Sequence, residues 1–147
     1  MKNNKKKTKT KLKEYMEEEF KNSLPITILP DSSIVYKKYR IKQNKQGDFN
    51  LHYAGLDNRT IDRFNLKVCA LVAAKRHDQC RLDAYNNIKE LDRKYWNNYA
   101  DAKYFQHIIK ITKDTEKQDI LTSRLQESTE LAKLYKQEIT ALFRMSF

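Results

Sequence analysis

The hydrophobic pattern of residues 33–64 has a period of two, which is the spacing of a β-strand with one buried face. Two such runs flank a polar segment over 44–48 that has the composition of a turn. A second turn leads to a brief third run, and Gly47 and Gly55 fall in the two turns, where a positive φ is most often needed. The pattern predicts a three-stranded antiparallel sheet over about 33–64. Its apolar face would carry Val35, Tyr39, Ile41, Phe49, Leu51 and Tyr53.

After residue 64 the apolar residues recur every three or four positions, as on amphipathic helices. Asn65 can cap a first helix that runs to about residue 96, and a capping-box pattern at Asn98 restarts it. A second such pattern at Thr115 opens a long helix whose apolar residues over 121–142 alternate in steps of four and three. The sequence therefore predicts helices over about 65–145 that cover the sheet and end in an antiparallel hairpin. A coiled coil between two chains is the alternative for the last helix.

The basic charge is concentrated at the start of the chain. Of 147 residues, 30 are Lys or Arg and 19 are Asp or Glu, and residues 1–13 contain seven lysines and no acid. Because almost nothing apolar lies among these lysines, residues 1–13 are predicted to form a disordered basic tail. Residues 14–147 form a single α+β domain in this interpretation, and a short amphipathic helix spans about 9–23.

The composition argues against several classes of protein. Only 2 glycines occur, so Gly-rich phosphate loops and dinucleotide-binding fingerprints are not expected. The longest uncharged apolar run, Val68 to Ala74, is too short for a membrane span or a signal peptide. We therefore expect a cytoplasmic protein with reduced cysteines and no membrane partner.

Reactive residues show no catalytic pattern. His52, His77 and His107 fall in three different predicted elements, with no nucleophile or pair of buried carboxylates beside them. His77 and Cys80 can share a helix face as the start of a metal site, but Cys69 would lie about 16 Å away along the axis. No enzymatic activity, cofactor or metal is expected.

A row of basic residues is the most informative candidate for a binding site. Lys38, Arg40 and Lys42 are two apart and so project from one face of a strand. A two-stranded ribbon can enter the DNA major groove, where Arg and Lys reach guanine and Asn pairs with adenine. The alternative is an edge strand whose charges only prevent aggregation. With the tail, the candidate nucleic-acid-binding residues are Lys5, Lys6, Lys7, Tyr36, Lys38, Arg40, Lys42, Asn50 and His52.

A run of aromatic residues over 85–105 has two interpretations. It can be a stacking platform for single-stranded bases, or it can be part of the core. Because most of the run falls on the apolar helical stripe, core packing is favoured. The residues are Tyr85, Tyr95, Trp96, Tyr99, Tyr104 and Phe105.

Residues 33–78 resemble a family of DNA-binding domains. Three short strands precede Ile61-Asp62-Arg63-Phe64, and a helix follows with Ala70 and Ala73 at the sixth and ninth positions after the phenylalanine. This order is similar to the plant Apetala-type domain and to the arm-binding domain of tyrosine recombinases. The resemblance implies that the helix lies across one face of the sheet while the strands contact DNA. In its lysine- and asparagine-rich composition the chain also resembles small proteins of marine tailed bacteriophages, which implies a viral accessory or virion protein.

Taken together, the residues favour a small basic protein that binds nucleic acid, with DNA preferred, through its tail and the outer face of the sheet. Such binding would weaken steeply with salt. The rival interpretation is a structural or accessory protein, for instance of a virion, whose helical hairpin contacts another protein or a second copy.

Overall fold

The computed structural model describes residues 26–53 and 59–147. Within them the chain forms five strands and three helices, so the α+β class is confirmed and the count of three strands is wrong. The predicted tail over 1–13 and the predicted helix over 9–23 lie outside the described residues. The strands are β1 (Ile26–Ile28), β2 (Ile34–Tyr36), β3 (Tyr39–Gln43), β4 (Phe49–Tyr53) and β5 (Arg59–Phe64). The helices are α1 (Lys67–Asp78), α2 (Leu82–Ile111) and α3 (Thr115–Ser146).

The five strands form one antiparallel meander in the order β1-β2-β3-β4-β5. The sequence pattern merged β2 and β3 into one strand because the turn between them has no glycine or asparagine. Lys37 occupies the left-handed region there, with φ of 50°. Its ammonium group lies 2.7 Å from the Asp78 carboxylate, which ties the turn to the end of α1.

This turn reverses the alternation that the sequence predicts for β2. Tyr36 pairs with Tyr39 across the turn, and both side chains are buried on the inner face of the sheet. Val35 pairs with Arg40 on the opposite face. The prediction that Val35 is buried and Tyr36 exposed is therefore wrong. The inner face also carries Ile34, Ile41, Leu51 and Phe64.

Helix α1 lies between the sheet and the other two helices, so the fold has three layers. All seven residues from Val68 to Ala74 are buried, because both sides of α1 are covered. Ala70 and Ala73 are fully buried among them, and their small side chains allow close approach. This packing is common to many α+β folds, so the resemblance to Apetala-type domains stays a prediction.

The start of α1 is held by a carboxylate from another helix. The sequence predicts Asn65 as the cap of α1, and this prediction is wrong. Leu66 is the N-cap, and its side chain makes no capping hydrogen bond. Instead Asp92 of α2 accepts hydrogen bonds from the backbone N–H groups of Asn65 and Leu66, at 2.8 and 2.9 Å. It also accepts one from Asn65 Nδ2 at 3.1 Å. Burial raises the pKa of Asp92 above its ordinary value, and the backbone donors of Asn65 and Leu66, together with the Cys69 thiol, oppose that rise.

Helix boundaries differ from the predicted ones at two places. The predicted first helix is interrupted at 79–81, where Cys80 has a φ of 56°. Helix α2 is then continuous through 98–101, where the sequence predicts a new start. Asn98 lies within α2, and its Nδ2 donates to the carbonyl oxygen of Lys94 at 2.8 Å. The predicted start of α3 is confirmed, although the cap is Asp114, which accepts from Glu116 N and Lys117 N.

Helices α2 and α3 form an antiparallel hairpin. Gln118 Nε2 donates to the carbonyl oxygen of Ile109 beside the connecting turn, and Lys94 lies over the ring of Tyr135 farther from the turn, so contacts advance along α3 as they recede along α2. The two helices are about 45 and 48 Å long, against about 18 Å for α1. The hairpin therefore projects beyond the sheet and α1. Accordingly, residues 103–127, at its projecting end, contain no buried side chain. None of the three helices in the described ranges has an apolar stretch long enough to cross a lipid bilayer.

Candidate nucleic-acid interface

The face of the sheet opposite α1 is not covered by any helix of the described ranges, 26–53 and 59–147. No helix of the described residues packs on it, because all of the helical core contacts are with the inner face. Register and alternation place eight side chains there, which we call the outer face. They are Thr27, Val35, Arg40, Lys42, Asn50, His52, Thr60 and Arg63. None of the eight is acidic, so the outer face is a polar and basic surface.

The structure brings together four of the residues predicted from sequence. Arg40 pairs with His52 and Lys42 pairs with Asn50 across the β3–β4 ladder. Paired residues on neighbouring strands project to the same side, about 4.8 Å apart. The expectation that these four side chains share one face of the sheet is met.

Arg63 also lies on the outer face, although the sequence pattern does not predict it there. It pairs with Asn50 across the β4–β5 ladder, so Lys42, Asn50 and Arg63 form one row over three strands. The pairing of β5 with β4 shifts between Leu51 and His52 of β4. Ile61 is the extra residue of β5 at this point, and the alternation of β5 changes there. Asp62 lies between Arg63 and this shift and faces the helices by ordinary alternation, and its carboxylate accepts a hydrogen bond from the Tyr85 hydroxyl at 2.7 Å. The bulge places Thr60 and Asp62 on opposite faces although they are two residues apart, and it leaves no clear signal in the sequence.

Hydrogen bonds and ion pairs occupy part of the outer face. Arg40 forms an ion pair of 3.1 Å with Asp31, which comes from the β1–β2 turn. Hydrogen bonds from Ser33, with Arg40 nearby, hold the pKa of Asp31 below its ordinary value. Within the described residues Lys42 and Arg63 have no ion-pair partner. Two cations of the row are thus not neutralised by any carboxylate of the described residues.

The two polar side chains beside these cations are oriented by neighbours. Asn44 Nδ2 donates to Asn50 Oδ1 at 3.2 Å. His52 Nδ1 lies 3.2 Å from the Thr60 hydroxyl oxygen. Asn50 therefore has its amide N–H groups left to donate, which suits a phosphate or base acceptor better than a donor.

The remaining predicted residues do not join the outer face. Tyr36 is only 3% exposed; its ring packs edge-on against Phe147, with centroids 5.8 Å apart. Lys38 is exposed in the β2–β3 turn, at one end of the sheet. Lys5, Lys6 and Lys7 lie outside the described residues. The structure thus places the predicted residues of β3 and β4 on one face, whereas the predicted exposure of Tyr36 is wrong.

The histidines and cysteines are placed separately. Among the described residues, no three His, Cys, Asp or Glu side chains are grouped closely enough to hold a metal ion. Cys69 is buried within α1, whereas Cys80 is exposed beyond its end. His77 instead contacts the sheet, with its Nδ1 2.7 Å from the Tyr39 hydroxyl oxygen.

No protein-family model matches the chain, and neither a curated protein nor a solved structure is significantly similar to it. A functional interpretation therefore rests on the surfaces that the fold itself presents: the outer face and the projecting hairpin.

Proposed function

We propose that the protein binds nucleic acid, with DNA preferred, through the outer face of its sheet. The observation that supports this most is the uncovered row of Lys42, Asn50 and Arg63, in which both cations lack an ion-pair partner among the described residues. A polyanion that contacts this row releases condensed counterions, which favours binding at low salt. The proposal includes no catalytic step.

The width of the sheet limits how DNA can approach. Four strand spacings of about 4.8 Å make the five-stranded sheet about 19 Å wide, and the major groove is about 12 Å wide. The three strands that carry the basic row, β3 to β5, span only about 10 Å. Since Arg40 is paired with Asp31, most contacts of this surface would be with phosphates, which position a protein without reading sequence.

The lysines at the start of the chain have a separate role in this proposal. Lys5, Lys6 and Lys7 would add salt-dependent attraction that needs no defined geometry. Their contribution and that of the outer face can be distinguished by substitution in the full chain.

The test is fluorescence anisotropy with a labelled DNA duplex over a series of salt concentrations. Reversing two charges on the outer face, with Lys42→Glu and Arg63→Glu, should weaken binding about tenfold or more and reduce the salt slope by about 2. The control is Lys117→Glu with Arg124→Glu, which makes the same charge change at exposed positions of α3. Equal losses in the two double variants would contradict a role for the outer face.

The tail is tested in the same assay. Neutralising Lys5, Lys6 and Lys7 to Gln should lower affinity at low salt but leave a component that the outer-face variant removes. If neutralising the tail abolishes all binding, the outer face is not the binding surface.

A second candidate function, protein–protein contact through the hairpin, is supported by one observation. Helix α3 has a mostly apolar stripe beside its buried one, formed by Leu131, Leu134, Ala141 and Met145 at heptad-like spacing, with Glu138 at the position between Leu134 and Ala141. Leu134 is 56% exposed and Met145 is 82% exposed. Leu134→Glu should then disrupt any oligomer seen by light scattering. A wild-type protein that is monomeric at high concentration would argue against self-association.

A further inference from the structure

Three aromatic rings form a stack on the surface of the helical hairpin. The rings of Tyr95 and Tyr99 lie 6.0 Å apart with an interplanar angle of 24°. Trp96 lies 5.5 Å from Tyr99 at an angle of 29°. We call these three residues the aromatic ladder. Trp96 is its outer end, since its side chain is 42% exposed.

Lysines lie against the aromatic ladder from both helices. The ammonium group of Lys103 is 5.5 Å from the centroid of the Tyr99 ring, and that of Lys136 on α3 is 6.0 Å from the Tyr95 ring. Neither lysine forms an ion pair with a described residue. Their charge is therefore available to an anionic partner that reaches the rings.

The positive charge continues along one side of α2. Residues at alternating spacings of three and four project to the same side of a helix. From the ladder, this rule gives a strip of exposed residues that contains no acid: Trp96, Ala100, Lys103, His107 and Lys110. Asp101 lies about 140° around the helix from Trp96, so it is on another side. The strip extends about 21 Å along the axis.

We propose that this surface binds single-stranded nucleic acid, with an unpaired base stacked on Trp96 and the backbone along Lys103 and Lys110. The exposed ring of Trp96, stacked on half-buried tyrosines and next to lysines without an ion-pair partner among the described residues, fits a chain that carries both π-faces and phosphates. A duplex offers the same phosphates but keeps its bases stacked inside, so it cannot use the ring. The inference extends the proposed nucleic-acid binding to a second surface, which uses part of the aromatic run for which the sequence favours core packing.

Trp96 is the one tryptophan of the chain, so its fluorescence reports directly on the ladder. The full-length protein is titrated with an oligothymidylate of about 12 nucleotides, within the range of single-strand sites. The matched duplex and inorganic polyphosphate are titrated in parallel. We expect saturable quenching by the single strand alone. Equal quenching by polyphosphate or by the duplex would overturn the proposal, because neither can place a base on Trp96.

Substitutions then separate stacking from charge. In an anisotropy assay with the labelled oligonucleotide, Trp96→Leu should weaken binding about tenfold. Tyr104→Leu is the matched control, because Tyr104 is 61% exposed and contacts Phe105 rather than the ladder. Lys103→Glu keeps all three rings, and it should weaken binding and reduce the slope of affinity against salt concentration. Unchanged binding in both Trp96→Leu and Lys103→Glu refutes the ladder as a site.

The outer-face variant with Lys42→Glu and Arg63→Glu distinguishes this proposal from the previous one. It should leave the quenching of Trp96 by oligothymidylate unchanged. If duplex binding resists the outer-face substitutions while single-strand quenching persists, the outer face fails and the ladder stands. If quenching is absent while duplex binding depends on Lys42 and Arg63, the ladder fails and the outer face stands.

Discussion

Asp92 provides a direct test of how the layers of this fold are held together. Its carboxylate belongs to α2 but accepts hydrogen bonds from Asn65 N and Leu66 N, at the start of α1. N–H groups at a helix N-terminus have no acceptor within their own helix. We therefore expect Asp92→Asn, which preserves the size of the side chain, to destabilise the junction of α1 and α2.

The size of the effect follows from the hydrogen-bond geometry. The two carboxylate oxygens accept from different residues: Oδ1 from Leu66 N, and Oδ2 from Asn65 N and Asn65 Nδ2. Whichever way the amide of the substituted side chain is oriented, its NH2 group faces an N–H donor. A buried donor without an acceptor costs about 1–3 kcal/mol, and removing a buried charge recovers part of this. We expect the free energy of unfolding to fall by about 2 kcal/mol, out of a total of about 5–15 kcal/mol.

The measurement is urea unfolding followed by far-ultraviolet circular dichroism. With a denaturant slope of about 2 kcal/mol/M, the midpoint should fall by about 1 M. Asp101→Asn, at an exposed position of the same helix, is the control and should change stability by less than about 0.5 kcal/mol. Asp92→Ala should cost more than Asp92→Asn, because it removes the acceptor of both backbone donors. Equal midpoints for Asp92→Asn and Asp101→Asn would refute the reasoning.

Three further predictions concern packing, pH and thiol reactivity. Ala73 is fully buried in α1, so Ala73→Leu should destabilise the protein by about 1–3 kcal/mol in the same unfolding assay, whereas Ala100→Leu on the exposed side of α2 should have little effect. Burial raises the pKa of Tyr39 to about 12 from its ordinary value of 10.0, so between these values the folded state keeps a proton that the unfolded state loses. The free energy of unfolding should therefore decline from about pH 10 to about pH 12, and the decline should be smaller in Tyr39→Phe. Burial also raises the pKa of the Cys69 thiol, while Cys80 is exposed, so a thiol reagent should modify one cysteine of the native protein quickly, and Cys80→Ser should abolish that fast phase. Two fast thiols would contradict the burial of Cys69.

Much of the fold could be predicted from local patterns. The predicted hairpin of β3 and β4 is confirmed. It is recognisable in the sequence because Gly47, which has a φ of 91°, lies in the turn between two alternating runs. The start of α3 and its antiparallel pairing with α2 were recognisable because an amphipathic period repeats over many turns. The sequence does not predict strand β1, because three residues are too few to show a period.

The candidate sites depended more on the tertiary structure. Arg40, Lys42, Asn50 and His52 were placed on one face by alternation alone, since they belong to two regular strands. Tyr36 was placed on the wrong face because a turn without glycine lies between it and Tyr39.

The sequence by itself determined the α+β class, the helical hairpin and the basic strand, because these follow from local periodicity and composition. Only the tertiary structure decided three other features: the position of Arg63 in the basic row, the capping of α1 by Asp92, and the contact of Lys136 with the rings of α2. Each of these joins residues that are distant in the chain. Local patterns carry no information about such partners, because they depend on strand register and on how helices pack.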